Sequence, residues 1–246
     1  MANIRIWLKY DGTDFHGYQI QKNGITIQET LEKAIEKITG VKTPLTGCSR
    51  TDAGVHAYMY AANFFSDTKV PPEKLPIALN TALPDTIRVY KAEYVSDEFH
   101  ATFSAIEKTY EYTIDTNVFA DPFLKRYAWH YTYFVDVDRM KAGAEYLIGK
   151  HDFSAFMASG GQAKTTVRTV KNIEISEKDK VITMKITADG FLYNMVRIIA
   201  GTLVYCGAGK LTPEDVGIIL ESRDRKTGGI TAPPNGLKLI SVVYED

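Results

Sequence analysis

The chain has 246 residues, of which 45% are hydrophobic and 24% are charged, and its formal net charge is −1. These proportions are typical of a soluble globular protein and exclude disordered, collagen-like and low-complexity chains. A chain of this length forms one large domain or two small ones, and it buries enough surface to fold without disulfide or metal crosslinks. Because the net charge is close to zero, binding of a polyanion requires a local basic patch.

The cysteines and the N-terminus predict a cytoplasmic protein. Cys48 and Cys206 are the only cysteines and lack C-x-x-C spacing, which argues against a disulfide framework and a thiolate zinc site. The N-terminus has no hydrophobic signal segment, and no apolar run approaches 18 residues, so we expect no membrane association. The five histidines include no i,i+4 pair, and we therefore expect no metal site.

The first half of the chain predicts the element order β-α-β-β-α-β. Residues 4–10 alternate as a strand, and Thr26 with Glu29 gives a capping-box signature for a helix that ends at Gly40. The remaining predicted elements are strands and one helix that begins with proline: strands 42–48, 56–65 and 86–95, and a helix near 72–82. This is the ferredoxin-like order.

The second half predicts a similar order of elements. Its predicted elements are strands at 107–115, 127–133, 168–176, 180–187 and 237–244, and helices at 138–149 and 191–206. One extra helix begins at Thr212, with Pro213 in its first turn. We therefore predict an α+β protein of two ferredoxin-like or RRM-like βαββαβ halves, 1–105 and 106–246. We expect antiparallel sheets with helices on one face, and an active cleft between the halves.

A loop between two predicted strands carries the first candidate site. In Asp52-Ala53-Gly54, the aspartate side chain can bond to its own backbone while the glycine takes a positive φ, as in an ordinary turn. Alternatively, an extended chain places the side chains of Arg50 and Asp52 on the same face. The residues alone leave open whether this pair is a salt bridge or a functional site.

The predicted helix at 191–206 carries the second candidate site. It is apolar almost all round, which indicates a buried helix, and Asn194, Arg197 and Gly201 form its one polar stripe. A buried arginine requires a partner, and we choose Asp52 as the carboxylate. The alternative is that Arg197 extends to solvent at the helix edge, and spacing does not decide between the two.

Aromatic and basic side chains give weaker signals of RNA binding. Aromatic residues on two predicted strands either stack unpaired bases or pack the sheet against its helices: Tyr58, Tyr60, Phe64, Tyr110 and Tyr112. Basic residues of the second half bind RNA only if they converge in space, and otherwise form a solvated surface: Lys164, Arg168, Lys171, Arg223, Arg225 and Lys226.

Motifs distributed along nearly the whole chain resemble those of the bacterial tRNA pseudouridine synthase A family. The most specific run extends from Arg50 to Ala57 and reads RTDAGVHA. The other matching segments occur in the same order: Tyr10-Asp11-Gly12-Thr13 with Phe15, Gly17 and Gln19, Phe99-His100-Ala101, Phe103-Ser104-Ala105, Tyr110, His151-Asp152-Phe153, Gly190-Phe191-Leu192, Met195-Val196-Arg197, Thr231-Ala232-Pro233-Pro234 and Gly236-Leu237.

The resemblance implies an isomerase that converts uridine to pseudouridine at positions 38, 39 and 40 of the tRNA anticodon stem-loop. It implies that Asp52 is the catalytic nucleophile or base, that Arg197 pairs with and orients it, that Tyr110 contacts the target base, and that Arg50 assists base flipping or contacts RNA. It also implies a homodimer without metal or organic cofactor.

Departures from the family pattern concern RNA contacts rather than the chemistry. Tyr18 stands where tryptophan is usual, and Thr102 and Lys108 each replace an arginine. Two other functions remain as alternatives. A non-catalytic RNA-binding module of two RRM-like halves explains the aromatic strands, and a glycoside-processing enzyme requires a second carboxylate opposite Asp52.

Overall fold

The computed structural model describes residues 1–161 and 163–245, which form two compact units. The first unit contains Met1–Ile106 and Lys238–Asp246, and the second contains Glu107–Leu237. The fold is α+β, and most strand pairs are antiparallel. In the part of the chain that the structure describes, no helix combines the length and apolar character needed to cross a membrane.

The first unit contains four strands and two helices before its C-terminal strand: β1 (Ala2–Tyr10), α1 (Ile27–Thr39), β2 (Thr46–Gly47), β3 (His56–Ser66), α2 (Leu75–Asn80) and β4 (Ile87–Val95). Strand β1 lies between β3 and β4 and is antiparallel to both, and β2 pairs with β3. Ile4, Ile6 and Leu8 of β1 are buried, as are Leu31 and Ile35 of α1. Alternate residues of β1 therefore form one wall of the core.

Local sequence signals set the ends of α1. The Thr26 side chain accepts a hydrogen bond from the Glu29 N–H at 3.3 Å, and Gly40 ends the helix at φ 76°. The predicted strand 42–48 pairs only over Thr46–Gly47, and the helix expected near 72–82 consists of a 3₁₀ turn at Pro72–Lys74 followed by α2. Both predicted elements were too long.

The second unit contains the following strands and helices in chain order: β5 (Ala105–Asp115), β6 (Trp129–His130), α3 (Val137–Glu145), β7 (Gly149–Asp152), β8 (Val167–Lys178), β9 (Val181–Ala188), α4 (Met195–Gly207) and α5 (Pro213–Ser222). Its antiparallel strands follow the order β5–β9–β8–β7, and β6 lies parallel to β5. The predicted start of α5 at Thr212 is confirmed, and the side chains of Thr212 and Asp215 each accept the other's backbone N–H, which forms a capping box.

Three predictions for the second unit were wrong in extent. Only Trp129–His130 of the expected strand 127–133 pairs with β5. The expected helix 138–149 ends at Glu145, and Gly149, at φ 115°, begins β7 instead. Helix α4 begins at Met195 rather than at residue 191. In each case tertiary pairing or a local backbone conformation decides the boundary.

The C-terminal strand β10 (Leu237–Tyr244) completes the first unit rather than the second. It runs parallel to β3, with Lys238 opposite His56 and Leu239 opposite Ala57. The Tyr244 hydroxyl also donates to the Ala101 carbonyl at 2.8 Å. The sequence analysis placed these residues in the second half because strand periodicity gives no information about which sheet a strand joins.

Candidate active site

Asp52 lies on the loop that enters β3, and its side chain is half-buried, whereas Arg50 is exposed. The Asp52 carbonyl accepts the Val55 N–H at 3.1 Å, and Gly54 has φ 78°. The backbone therefore forms the turn that the sequence suggested. This turn places the half-buried residue Asp52 shortly before β3.

The segment between β1 and α1 holds this loop by hydrogen bonds. The Thr51 carbonyl accepts the Tyr18 N–H at 3.0 Å, and the Thr51 hydroxyl lies 2.8 Å from the Tyr10 hydroxyl. The Gly54 N–H donates to the Phe15 carbonyl at 3.3 Å. Contacts on both sides of Asp52 thus fix its backbone position.

Two glycines allow the two segments to pack backbone against backbone. A Cβ atom at Gly12 would lie 2.0 Å from the Val55 carbonyl oxygen, which is far inside van der Waals contact. Gly17 has φ 85°, and a Cβ atom there would lie 2.8 Å from the Thr51 carbonyl oxygen. Neither position accepts a side chain unless the Asp52 loop moves.

His56 anchors the end of the loop. Its ring is buried, and its Nδ1 accepts the Gly12 N–H at 3.1 Å and lies 3.1 Å from the Asp11 carboxylate. The sequence analysis quoted Asp11 and His56 within motifs but gave neither of them a role. The contact joins residues 45 positions apart, so neither local spacing nor periodicity indicates it.

Two buried tyrosines support the loop from below. The rings of Tyr18 and Tyr60 stack at 4.8 Å, and the Tyr60 hydroxyl donates to the Ser49 carbonyl. Burial raises the pKa of both hydroxyls, so both are neutral at physiological pH. Thr102 also contacts protein here, since its hydroxyl donates to the Gly47 carbonyl at 2.6 Å. The tyrosine and threonine side chains that support the loop are thus uncharged.

In the second unit, Arg197 occupies the first turn of α4. Its Nε donates to the Ala232 carbonyl at 2.7 Å, and its Nη1 donates to the Asn194 side chain at 2.8 Å. Asn194 has φ 60° and precedes the helix rather than forming part of it. A Cβ atom at Gly201 would lie 2.0 Å from the Ile230 carbonyl oxygen, so the predicted polar stripe faces the segment 230–232.

Tyr110 and Tyr112 lie on β5 with different partners. Tyr110 is 5% exposed, and its ring packs edge-on against Phe191 at 5.0 Å. The buried Tyr112 hydroxyl donates to the Pro233 carbonyl at 2.7 Å. Burial raises the pKa of Tyr112, and the positive charge of Arg197 opposes that rise. Tyr112 and Arg197 therefore hold neighbouring residues of one segment, 232–233.

The structure shows which of the aromatic and basic candidates for RNA binding are buried or already contact the protein. Tyr60, Phe64 and Tyr112 are core residues, whereas Tyr58 is exposed. At least four of the six basic side chains contact the protein itself. Arg168 donates to the carbonyls of Thr165 and Val167 at 2.9 and 2.6 Å. Lys171 pairs with Glu107 at 2.7 Å, Arg223 lies 3.7 Å from Asp152, and Arg225 donates to Thr231 at 3.1 Å.

Comparisons with known proteins agree on one family. The family model described as tRNA pseudouridine synthase matches residues 6–104 and 144–245. The chain belongs to this family. The tRNA pseudouridine synthase A of Thermoanaerobacter pseudethanolicus is 52% identical, and that of Acetivibrio thermocellus is 44% identical. Each comparison covers 99% of this chain and 100% of the relative.

Similarity to solved structures is weak. A structure of an H/ACA RNP bound to a substrate RNA containing 2′-deoxyuridine gives a TM-score of 0.44 at 11% identity. The match covers 98% of this chain and 49% of that chain. A likeness at this level supports no conclusion about fold or function.

The four site residues expected of a tRNA pseudouridine synthase are divided between the two units. Arg50 and Asp52 belong to the first unit, and Tyr110 and Arg197 belong to the second. The contacts described above fix Asp52, Tyr110 and Arg197 within their own units, whereas Arg50 is exposed, and the pairing of Arg197 with Asp52 stays a prediction. Among residues 1–161 and 163–245, no group of three or more His, Cys, Asp or Glu side chains has the arrangement of a metal site.

Proposed function

We propose that this protein isomerises uridine to pseudouridine at positions 38, 39 and 40 of the tRNA anticodon stem-loop, with Asp52 as the catalytic residue. Membership of the tRNA pseudouridine synthase family supports the reaction and the substrate. The observation that carries the assignment of Asp52 is the loop around it, which is locked by backbone contacts and leaves the carboxylate half-buried.

The reaction calls for one carboxylate beside the ribose. Breaking the N1–C1′ bond develops positive charge on the sugar, which a carboxylate stabilises. The base then turns, C5 bonds to C1′, C5 releases its proton and N1 takes one up. Because the base never leaves the site, no second carboxyl is needed to protonate a departing group. Asp52 acts either as a nucleophile at C1′ or as a base at the ribose.

We assign Arg197 to pair with Asp52 and to keep it ionised. A flipped base that covers a carboxylate removes it from water, and desolvation favours the neutral acid. An adjacent guanidinium opposes this effect and also orients the carboxylate. The hydrogen bonds from Arg197 to Ala232 and Asn194 support this role, since they hold the guanidinium in one orientation.

Tyr110 and Arg50 are assigned to the substrate. Extruding a base from a stem costs a few kcal/mol, and stacking on an aromatic ring returns about 1–3 kcal/mol. The packing of Tyr110 against Phe191 fixes its ring for such a contact. The exposure of Arg50 supports a contact with the RNA backbone or with the flipped nucleotide.

We further propose two ferredoxin-like halves that both contribute catalytic residues, and a cytoplasmic homodimer that acts without metal or cofactor. The first unit supports the ferredoxin-like assignment, because its strand order is β4–β1–β3–β2. The tRNA substrate supports the cytoplasmic location.

Tritium release from tRNA labelled at C5 of uridine tests the proposed function. Wild-type protein is expected to release tritium, and Asp52→Asn is expected to abolish release while leaving tRNA affinity largely intact. Asp97→Asn, which changes an exposed aspartate of the same unit, is the matched control and is expected to keep the wild-type rate. Near-normal release by Asp52→Asn would remove Asp52 from the mechanism. A non-catalytic RNA-binding module would bind tRNA without releasing tritium.

Substitutions at Arg197 test the pairing. Arg197→Met is expected to lose most activity, and Arg197→Lys, which retains the charge, is expected to recover part of it. Asn194→Gly tolerates the φ of 60° at this position and removes an acceptor of the Arg197 side chain, so it is expected to lose part of the activity. Full activity of Arg197→Met at neutral pH contradicts the pairing.

A further inference from the structure

The outer face of the first unit's sheet carries cations and aromatic rings rather than ordinary polar side chains. Along β1, Arg5, Trp7 and Lys9 alternate with the buried residues that form the core wall. Successive side chains of a strand point to opposite faces, so these three lie on the face away from the core. Lys9 stands at the end of β1 nearest to the Asp52 loop and its supporting segment.

Two β-bulges place a tyrosine on either side of Lys9. The pairing of β1 with β4 shifts between Trp7 and Leu8, which makes Tyr90 an extra residue on β4. The pairing with β3 shifts between Leu8 and Tyr10, and Tyr58 lies in this bulge. Bulges commonly redirect a side chain. The Lys9 ammonium lies 4.7 Å from the centre of the Tyr58 ring and 5.5 Å from that of Tyr90.

Both rings retain accessible surface while they contact the lysine. Tyr58 is 61% exposed and Tyr90 is 45% exposed. By contrast, Tyr60, which lies on the same strand as Tyr58, is fully buried. An exposed ring next to a cation offers a stacking surface for a base and a charge for a phosphate. We refer to Lys9, Tyr58, Tyr90, Arg88 and Lys91 together as the Lys9 face.

The charge on this face is positive, although the whole chain has a net charge of −1. Arg88 pairs with Asp85, and Arg5 and Lys91 share a single carboxylate, that of Glu93. The Lys9 face thus has three basic side chains, those of Lys9, Arg88 and Lys91. With Arg5, which lies on the same side of β1 but outside the Lys9 face, four basic side chains stand against two acidic ones. This is the local convergence that binding of a polyanion requires.

Hydrogen bonds keep the shared carboxylate ionised. Partial burial alone raises the pKa of Glu93, but hydrogen bonds from Lys91 and Trp7 hold it below its ordinary value. Glu93 therefore counts as a full negative charge at neutral pH, and the surplus of basic groups on the face remains.

We propose that the Lys9 face is a second tRNA-binding surface, which stacks unpaired bases on Tyr58 and Tyr90 and binds phosphate through Lys9. The proposal rests on the proposed function for the identity of the RNA. Single-stranded RNA is bound in this way by ferredoxin-like modules, in which aromatic residues of neighbouring strands stack two or three bases. The surplus of positive charge favours RNA over a protein partner.

Equilibrium binding of unmodified tRNA to the Tyr58→Ala/Tyr90→Ala double variant tests this surface. Stacking of one base corresponds to roughly a 5- to 150-fold effect on affinity, so we expect Kd to rise at least about fivefold. KM for tRNA is expected to rise with Kd. Tyr58→Phe retains the ring and is expected to bind tRNA as the wild type does, which separates stacking from a role of the hydroxyl.

Tyr94→Ala is the matched control. Tyr94 lies on the same strand as Tyr90 and is 58% exposed, but it pairs with Ile4 and so points to the opposite side of the sheet. Its Kd is expected to match that of the wild type. Lys9→Gln is expected to lower the slope of log Kd against log salt by about 0.7–0.9, as loss of one phosphate contact predicts.

The outcomes distinguish this inference from the proposed function. If the double variant binds tRNA within twofold of the wild type, or if Tyr94→Ala weakens binding equally, the Lys9 face is not an RNA surface. In either case the tritium release of the wild type still establishes the isomerase. If the wild type binds tRNA but releases no tritium, the proposed function fails, and the affinity comparison still decides the role of the Lys9 face.

Discussion

Gly12→Ala is expected to slow the reaction by displacing the Asp52 loop. The added Cβ atom would lie 2.0 Å from the Val55 carbonyl oxygen and 2.8 Å from its carbon. Real Cβ contacts are essentially never under 3.0 Å, so the backbone at Val55 must retreat by about 1 Å. The Val55 N–H donates a hydrogen bond to the Asp52 carbonyl, and this movement therefore reaches Asp52, the proposed catalytic residue.

The size of the effect follows from that displacement. A misplacement of about 1 Å in a catalytic constellation costs about 100-fold in rate, and overpacking of a close contact costs about 1–3 kcal/mol of stability. We expect Gly12→Ala to release tritium from tRNA about 100-fold more slowly under single-turnover conditions. It is also expected to unfold at a lower urea concentration than the wild type, while remaining folded in the rate assay.

Gly24→Ala is the control for this experiment. Its Cβ atom would meet the His16 ring at 2.2 Å, which is nearly as close, but His16 is an exposed side chain that can rotate away. We expect wild-type rate and stability. A wild-type rate for Gly12→Ala would refute the view that the segment between β1 and α1 positions Asp52. Equal losses in both variants would show that neither contact acts specifically through the Asp52 loop.

Two further predictions concern stability in the second unit. Burial alone raises the pKa of Asp115, but hydrogen bonds from Asn117 and from the Asp121 N–H lower it, and the pKa in the folded state is below the ordinary value. The ionised Asp115 therefore stabilises the fold fully above the ordinary carboxyl pKa of about 3.9. This stabilisation is lost as pH falls through the lower pKa of the folded state. Asp115→Asn is expected to reduce the free energy of unfolding by about 1–3 kcal/mol at pH 7. Urea denaturation at several pH values should show that the stability difference between the variant and the wild type decreases below pH 4. A stability difference that does not change with pH contradicts this expectation. Tyr112→Phe, which leaves the Pro233 carbonyl without its 2.7 Å donor, is expected to cost about 1–2 kcal/mol in the same assay, and no change would show that Tyr112 does not hold this segment.

Elements with complete local signals could be predicted from the sequence. Helix α1 has both a threonine cap and a glycine terminator, and α5 has a threonine cap followed by proline, so both ends of α1 and the start of α5 required no tertiary information. The short strands β2, β6 and β7 lack such signals. Their extent depends on how many residues face a partner strand, and a single sequence does not contain that information.

In the candidate site, too, local features could be predicted from the sequence and long-range contacts could not. The motif from Arg50 to Ala57 identified the loop, and its turn followed from Asp52 and Gly54. The contacts that hold the loop join distant segments, as between Gly12 and Val55, and no periodicity reveals them. Lys9 and Tyr90 were missed for a related reason, because the bulges that bring them together break the alternation on which strand patterns depend.

The parallel pairing of β10 with β3 has a consequence for synthesis of the chain. The N-terminal unit lacks one of its strands until all 131 residues of the second unit have been translated. At an elongation rate of about 5–20 residues per second this delay lasts about 7–26 s. During that interval the edge of β3 next to the Asp52 loop has no β10 partner. The fold of the first unit is therefore complete only after the C-terminal region has been synthesised. A ribosome that stalls within the second unit would leave the edge of β3 unpaired and prone to aggregation.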